Sequence, residues 1–292
     1  MKVLVIGATG YIGSAATQAL ERAGHQVVPF LRVGEVTPSR IASADFRVGD
    51  LTDASSLRRA AQSVDAIVHA GAPLGDWDAD RDAVLALLEG LRDAGSSRLV
   101  YLSGTWVLGA TTRDQVADET SPPRPIAIVH GRENVESVVR AHGGIVVRAG
   151  VVHGRGSGIP GLLVHWARET GTARYVVGED PSPVWSVVHV DDLAELLALA
   201  LTDARPGELL HGVGEPAVPV SDIARAADEA AGGPGQATSW PIADAVGDLG
   251  PAFAGALALS QVVTARRAAQ LGWRPSRPTI SEELRTGSYA SA

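Results

Sequence analysis

The chain has 292 residues, of which 45% are hydrophobic and 20% are charged, a composition typical of a folded protein and not of a disordered one. Its 33 acidic residues outnumber the 25 basic ones, and the net charge of −8 argues against nucleic acid or an anionic membrane as the main partner. The absence of cysteine excludes disulfides, thiolate nucleophiles and cysteine metal sites.

The first half of the chain alternates short β-branched runs with helical periods, a pattern that predicts a parallel sheet covered by helices on both faces. In chain order, the predicted strands are Val3–Ile6, Gln26–Leu31, Asp45–Val48, Ala66–Ala70, Leu99–Ser103 and Gly144–Arg148. The predicted helices between them are Ile12–Ala23, Ala54–Ser63, Arg81–Ala94 and Arg132–Ala141.

The pattern changes after about Arg148. Glycine-rich residues 153–158 predict a flexible loop, and residues 178–183 predict a second loop. Three later helices are predicted, over Asp191–Asp203, Val220–Gly232 and Ser260–Leu271, whereas the proline- and glycine-rich residues 232–251 predict a surface connection. We expect one domain over residues 1–150, and a C-terminal portion over 151–292 that closes a cleft at the carboxyl ends of the strands and partly returns to the sheet.

A glycine-rich turn joins the first predicted strand to the first predicted helix. It reads Gly7-Ala8-Thr9-Gly10-Tyr11-Ile12-Gly13. Glycine permits the tight turn and lets backbone N–H groups approach a pyrophosphate, whose charge is favoured at a helix N-terminus. Between a strand and a helix this pattern is specific, and it predicts a Rossmann-type doubly wound α/β fold with a smaller C-terminal substrate-binding portion. The expected dinucleotide contacts in the turn are Gly7, Thr9, Gly10, Tyr11, Ile12 and Gly13.

The second predicted strand leads into Arg32, at the place where such folds bind the adenosine ribose. Asp or Glu there would accept a hydrogen bond from a free 2′-hydroxyl, whereas arginine suits a 2′-phosphate. Arg32 therefore favours NADP over NAD, with Arg40 as a further candidate contact. The alternative is that Arg32 is simply solvated and that Glu35 or a backbone group serves the ribose.

Several further motifs resemble the extended or atypical short-chain dehydrogenase/reductase family, the NAD-dependent epimerase/dehydratase group. Besides the glycine-rich turn they are Asp50-Leu51, Val-His-Ala-Gly-Ala at 68–72, Arg-Ala-Gly-Val-Val-His-Gly at 148–154, Val-His-Val-Asp-Asp-Leu-Ala at 188–194 and Leu-Gly-Trp-Arg-Pro at 271–275. The resemblance spans nearly the whole chain. It implies adenine contacts by Asp50 and Leu51, a dinucleotide lining of Ala70 and Gly71, and a position near the nicotinamide for Val151 and Val152.

The chain departs from that family at the residues that transfer protons. The family usually carries Tyr-x-x-x-Lys on the helix after the fifth strand, but here the matching helix reads His130-Gly-Arg-Glu-Asn134, and Lys2 is the only lysine of the chain. The geometry of a pair on one helix face is retained, while its chemistry is replaced. We predict that His130 supplies a proton, because imidazole titrates near neutral pH, and that Asn134 holds the ribose. An ordinary surface role for His130 is the alternative.

The hydroxyl residue of the family, at the end of the fifth strand, falls on Gly104 in this sequence. Ser103 and Thr105 flank it, and either could supply a catalytic hydroxyl group. Ser103 is also expected to border the cofactor.

These features predict an NADP-dependent oxidoreductase that reduces a small, fairly apolar carbonyl, imine or conjugated alkene. Two alternatives stay open: a non-redox epimerase, dehydratase or cyclase with His130 or His153 as acid or base, and a non-catalytic NAD(P)-binding sensor. We expect a small-molecule substrate, no metal, no nucleic acid and no membrane partner. A cytoplasmic location is expected because the first residues already form a strand. The oligomeric state is left open, with a homodimer as one alternative.

Overall fold

A central sheet of seven parallel strands organises the chain in the computed structural model, which describes residues 1–32, 34, 45–71, 75–96 and 98–290. The strands are β1 Lys2–Ile6, β2 Gln26–Arg32, β3 Arg47–Gly49, β4 Ala66–His69, β5 Leu99–Gly104, β6 Ile145–Ala149 and β10 Leu209–Gly212. Their order is β10-β6-β5-β4-β1-β2-β3. Strands β2 and β3 therefore extend the sheet on one side of β1, and β4 and the later strands extend it on the other side. In sheets of this kind, ligands bind outside the carboxyl ends of the strands at the point where the strand order reverses.

Helices cover both faces of this sheet because buried side chains alternate along each strand. In β1, Val3 and Val5 belong to one core and Leu4 and Ile6 to the other. The first core is covered by α1 Tyr11–Arg22 and α6 Val190–Asp203, and the second by α2 Ala54–Ala61, α3 Trp77–Asp93 and α4 Arg132–Ala141. The predicted α/β class with a doubly wound parallel sheet is confirmed.

A second set of elements follows β6 and has its own core, which includes Trp185, Val187 and Ile223. Its strands are β7 Val151–His153, β8 Ala173–Val177, β9 Val184–His189, β11 Glu215–Pro219 and β12 Ala237–Pro241. Its helices are α5 Gly158–Thr170, α7 Val220–Ala230, α8 Ile242–Leu249, α9 Pro251–Leu257 and α11 Ile280–Thr286. Helix α10 Arg266–Gln270 instead packs beside β10, and its Ala268 belongs to the first core of the central sheet. Strands β11, β9 and β7 form one small sheet, and β12 pairs with β8 in another. The boundary at residue 150 stays a prediction.

The prediction of a helix over residues 260–271 is wrong for its first half. Only Arg266–Gln270 is helical. The preceding residues are extended, because Gln261 donates its backbone N–H to Val184 at 2.7 Å and Val262 accepts that of Ala117 at 3.0 Å. The β-branched run of Val262, Val263 and Thr264 fits this extended backbone, and its partners are distant in sequence.

The prediction of a surface connection over residues 232–251 is also wrong. The segment contains the whole of β12, which pairs in parallel with β8, and the whole of α8. Trp240 is buried in the C-terminal core at 7% exposure, so this segment contributes to packing despite its glycine and proline content. The predicted loop at 153–158 is shorter than expected, since His153 ends β7 and Gly158 begins α5.

Candidate functional site

The glycine-rich turn packs closely against the chain that leaves β4. Gly7 has a φ of 78° and accepts the backbone N–H of Gly10 at 2.9 Å. A Cβ atom on Gly7 would lie 2.9 Å from the backbone of Gly71, and one on Gly13 only 1.9 Å from the carbonyl oxygen of Gly7. No side chain among the described residues caps the N-terminus of α1 at Gly10. Its first N–H groups are therefore available to an anion.

A pocket of about 370 Å³ opens beside this turn, at the carboxyl ends of β1, β2, β3 and β4. Its size is that of a small-molecule site. It is lined by Ile6, Gly7, Thr9, Gly10, Phe30, Arg32, Asp50, Leu51, Thr52 and Gly71. Seven of the residues predicted to bind the cofactor thus meet in one place: Gly7, Thr9, Gly10, Arg32, Asp50, Leu51 and Gly71.

The pocket carries one carboxylate and one guanidinium. Asp50 Oδ1 accepts the backbone N–H of Thr52 at 2.8 Å and its hydroxyl at 2.7 Å. These two bonds hold the pKa of Asp50 below its usual range, and the positive charge of Arg32 lowers it further. Asp50 is therefore a charged acceptor at neutral pH.

The other predicted cofactor residues lie around the same turn without all lining the pocket. The Tyr11 hydroxyl donates to the carbonyl of Gly154 at 2.8 Å, so the side chain of Tyr11 is engaged within the protein. Ile12, Ala70 and Val152 are half-buried against the core of α1 and α6, whereas the side chain of Val151 packs in the C-terminal core. Glu35, Arg40 and Ala72 lie outside the described residues.

His130 and Asn134 line a separate pocket of about 310 Å³ at the start of α4. Both are exposed, and the half-buried ring of Trp77 is part of the same wall. The rest of the lining is Gly75, Asp76, Asp78, Arg81, Gly131 and Val135. The structure therefore brings these two predicted catalytic residues to one pocket, but the prediction that they share one helix face is wrong, because His130 has an extended backbone and precedes α4.

The two candidate hydroxyl groups lie elsewhere, in buried hydrogen-bond networks. Ser103 donates to Glu136 Oε1 at 2.5 Å, and Glu136 in turn binds Arg148, whose Nη2 lies 2.5 Å from Oε2. Thr105 donates to Gln261 Oε1 at 3.0 Å. Because both hydroxyl groups already have protein acceptors, the structure does not join them to the pocket of His130. The catalytic roles of all four residues stay predictions.

Sequence reasoning missed a cation at the start of α4. Arg132 donates from Nη2 to the carbonyl of Leu102 at 2.7 Å, and its guanidinium lies 5.0 Å from the ring centre of Trp77. Tyr101 lies beneath it and donates its hydroxyl to the fully buried Asp80 at 2.5 Å. Burial raises the pKa of Tyr101 far above its ordinary value, so this phenol stays protonated. One feature of the sequence could have indicated this cation: an arginine stands two residues after His130 in a chain that has a single lysine.

The run from His189 to Asp192 forms a helix start. His189 Nδ1 accepts the backbone N–H of Asp191 at 3.1 Å and so caps α6. Asp192 accepts the backbone N–H groups of Ser276 and Arg277. Within the described ranges, no cluster of three or more His, Asp or Glu side chains could hold a metal ion. Likewise, none of the described helices is both long and apolar enough to cross a membrane.

The sequence profile of the NAD dependent epimerase/dehydratase family matches residues 3–211, and the chain belongs to this family. Among similar proteins, a 3-diazoavenalumate denitrifying reductase of Streptomyces sp is 30% identical, with 97% of this chain and 99% of the relative covered. An uncharacterised protein of Saccharomyces cerevisiae is 31% identical, with 98% of each chain covered.

Two solved structures show the same fold over almost the whole chain. Thermus thermophilus UDP-glucose 4-epimerase, in complex with NAD, has a TM-score of 0.80 at 22% identity and covers 100% of both chains. A human epimerase family protein, solved with NADPH, has a TM-score of 0.76 at 23% identity and covers 99% of both chains. At these identities the likeness concerns the fold.

Proposed function

We propose that this protein binds a nicotinamide dinucleotide, with NADP preferred, at the carboxyl ends of β1 to β4. The observation that carries the proposal is a single pocket that combines the uncapped N-terminus of α1 with the guanidinium of Arg32. Because a Cβ on Gly7 or Gly13 would clash with the backbone of Gly71 or Gly7, glycine at both positions permits the tight turn that brings the N-terminus of α1 to this pocket. The dinucleotides in the two solved structures, NAD and NADPH, support the cofactor class.

In this arrangement the N–H groups of the first turn of α1 would bind the pyrophosphate. Arg32 would bind the 2′-phosphate of the adenosine ribose, and Asp50 would accept hydrogen bonds from the adenosine. The apolar Leu51 would pack on the base. The pocket therefore offers a hydrogen-bond donor to the 2′-phosphate and a hydrogen-bond acceptor to the adenosine.

We further propose that the protein is a reductase of a small carbonyl, imine or conjugated alkene. A bound NADPH would supply the hydride. An imidazole nitrogen of His130 would deliver the accompanying proton to the substrate, and the Asn134 amide would hydrogen-bond beside it. The Streptomyces relative named a reductase supports reduction as the reaction class.

A comparison of the two candidate histidines favours His130 as the acid. His153 is 1% exposed, and burial lowers its pKa to about 3, so it is neutral and shielded from solvent. It faces a different pocket, which it shares with His189 and Glu215. His130 is exposed and close to Trp77, whose ring offers an apolar surface to a substrate.

Calorimetry with NADP and NAD tests the cofactor, and consumption of NADPH with a panel of ketones, aldehydes and imines tests the reaction. In His130→Phe we expect turnover to fall by about a hundredfold or more with NADP binding retained, since a positioned general acid contributes about that much. His165→Phe, on the exposed face of α5, is the matched control and should leave turnover unchanged. Binding of neither dinucleotide would refute the function, and unchanged turnover in His130→Phe would remove His130 from the chemistry.

A further inference from the structure

The turn between β7 and α5 has an unusual backbone. Arg155 has a φ of 55°, the one positive φ among the described residues other than glycine, and Gly154, Gly156 and Gly158 have φ values of 103°, 66° and 77°. A non-glycine residue keeps such a conformation only where its surroundings over-determine it, and such residues cluster at functional sites. The contacts of this turn, defined as residues 154–158, show what holds it.

One set of contacts joins turn 154–158 to the helix that begins at the glycine-rich turn. The Tyr11 hydroxyl donates to the carbonyl of Gly154 at 2.8 Å. Arg155 donates from Nη2 to Gln18 Oε1 at 2.7 Å and to Asp191 Oδ1 at 2.5 Å. Turn 154–158 therefore touches the first and second turns of α1 and the first turn of α6.

A second set of contacts comes from the C-terminal end of the described chain. The Tyr289 hydroxyl accepts the backbone N–H of Gly154 at 2.7 Å and donates to the carbonyl of Ser157 at 2.6 Å. Ser288 Oγ accepts the backbone N–H of Gly156 at 2.7 Å. Tyr289 is 1% exposed, so its hydroxyl satisfies two backbone groups that have little access to water. We call Ser288 and Tyr289 the C-terminal clamp.

We propose that the C-terminal clamp positions the dinucleotide site from a distance. It holds turn 154–158 against Tyr11, and Tyr11 is the first residue of the helix whose N–H groups would bind the pyrophosphate. Tyr289 is thus a positioning residue for the cofactor and has no contact with it. This inference rests on the proposed dinucleotide binding. Because linkage is reciprocal, the bound cofactor also stabilises the clamp.

Tyr289→Phe tests the proposal, because it removes one hydroxyl and leaves the Gly154 N–H and the Ser157 carbonyl without that partner. The Kd for NADP, measured by calorimetry, should rise by about five- to tenfold, because the variant loses a buried hydrogen-bonding group that holds the turn in its binding position. Tyr175→Phe is the matched control, since Tyr175 is a half-buried tyrosine of β8 in the C-terminal core, and its Kd should equal that of the wild type. Ser288→Ala, a smaller change, should raise the Kd by about two- to threefold and serves if Tyr289→Phe does not fold.

A structural role alone would lower stability without moving the Kd. Amide hydrogen exchange therefore supplies the second readout: in the wild type, saturating NADP should slow exchange over residues 280–290, and in Tyr289→Phe this protection should shrink. If the wild type binds NADP and both folded variants bind it equally well, the clamp proposal alone is overturned. If the wild type binds no dinucleotide, the proposed function fails and the clamp proposal fails with it.

Discussion

Arg32 and Asp50 place opposite charges on one pocket wall because their strands are neighbours. Arg32 ends β2 and is opposite Gly49, the last residue of β3, so Asp50 follows directly beside it. Parallel pairing brings the carboxyl ends of both strands to the same edge. The NADP preference that we propose therefore rests on two residues that are distant in sequence and adjacent at the edge of the sheet.

Arg32→Asp should reverse the cofactor preference. An aspartate would repel the 2′-phosphate and accept a hydrogen bond from a free 2′-hydroxyl, so we expect NADP binding to weaken by about tenfold or more while NAD binding stays or improves. Calorimetry with both dinucleotides measures this change. Arg113→Asp, an exposed loop position with the same change in charge, is the control. Equal NADP affinities of Arg32→Asp and wild type would place Arg32 outside the binding site.

The residue scale also shows how far the sequence could predict the site. The positions of Gly7, Gly10 and Gly13 were predictable because a tight strand-to-helix turn is a local feature of the backbone. The engagement of Ser103 and Thr105 was not predictable, because their acceptors, Glu136 and Gln261, lie 33 and 156 residues away in the chain. A motif indicates which hydroxyl groups stand near a strand end, but it does not indicate which acceptors the fold brings to them.

At the scale of elements, the start of α4 depends on one glycine. Gly131 precedes the helix with a φ of 103°, and a Cβ there would lie 3.2 Å from Cδ1 of Trp77. The glycine thus lets the start of α4 approach the start of α3. This approach forms the pocket that His130 and Asn134 share with Trp77.

Gly131→Ala should destabilise the protein and disturb this pocket. We expect a loss of about 1–2 kcal/mol in the free energy of unfolding, from the left-handed backbone and from contact with the indole ring. Gly247→Ala is a control in which the opposite change is expected. Gly247 lies inside α8, and an added Cβ would have no heavy atom within 4 Å, so the free energy of unfolding should increase by about 0.5–1 kcal/mol. Urea unfolding measures both. If Gly131→Ala were as stable as the wild type, the glycine would not be required at the start of α4.

The N-terminal and C-terminal elements differed in how well the sequence predicted them. In the first half, continuous apolar strands and amphipathic helices gave boundaries within a few residues, apart from α3, which begins at Trp77 because Asp76 caps it by accepting the N–H of Ala79. In the second half, strands such as β8 and β12 were missed. They are short and pair with each other across more than fifty residues, so their stability comes from tertiary contacts and not from local pattern.

At the scale of the whole molecule, burial lowers the pKa of four buried histidines: His69, His153, His189 and His211. Burial lowers the pKa of His153 to about 3 and that of His211 to about 4. His211 Nδ1 donates to the carbonyl of Thr264 at 2.9 Å, whereas Nε2 of His211 and Nδ1 of His153 find no acceptor or donor among the described residues. Folding therefore keeps both rings neutral in a pH range where the unfolded chain would protonate them.

Stability should consequently fall as the pH falls below about 6.5, the ordinary pKa of histidine. Between pH 6.5 and pH 5 the unfolded state binds protons at both positions and the folded state does not, so each histidine contributes a loss of up to about 1.4 kcal/mol per pH unit. Above pH 7 this contribution is complete and constant. Denaturant unfolding from pH 5 to pH 7.5 measures the slope.

His211→Gln should reduce this slope by the contribution of one histidine, because position 211 would no longer bind a proton on unfolding, whereas His153 and the other buried histidines, His69 and His189, still would. His165→Gln, the same substitution on the exposed face of α5, is the control. A free energy of unfolding that stays constant from pH 7 to pH 5 would contradict the assignment of neutral buried histidines.

The sequence by itself determined the α/β class, the family and the glycine-rich turn between β1 and α1, because hydrophobic periodicity and turn chemistry are properties of adjacent residues. It also predicts that His130 and Asn134 stand where the family usually has tyrosine and lysine. Only the tertiary structure decided which side chains meet: that Arg132 lies over Trp77, that Ser103 is bound to Glu136, and that Tyr289 clamps the turn beside α1. Such contacts join residues far apart in the chain, and they depend on packing that a local pattern does not encode.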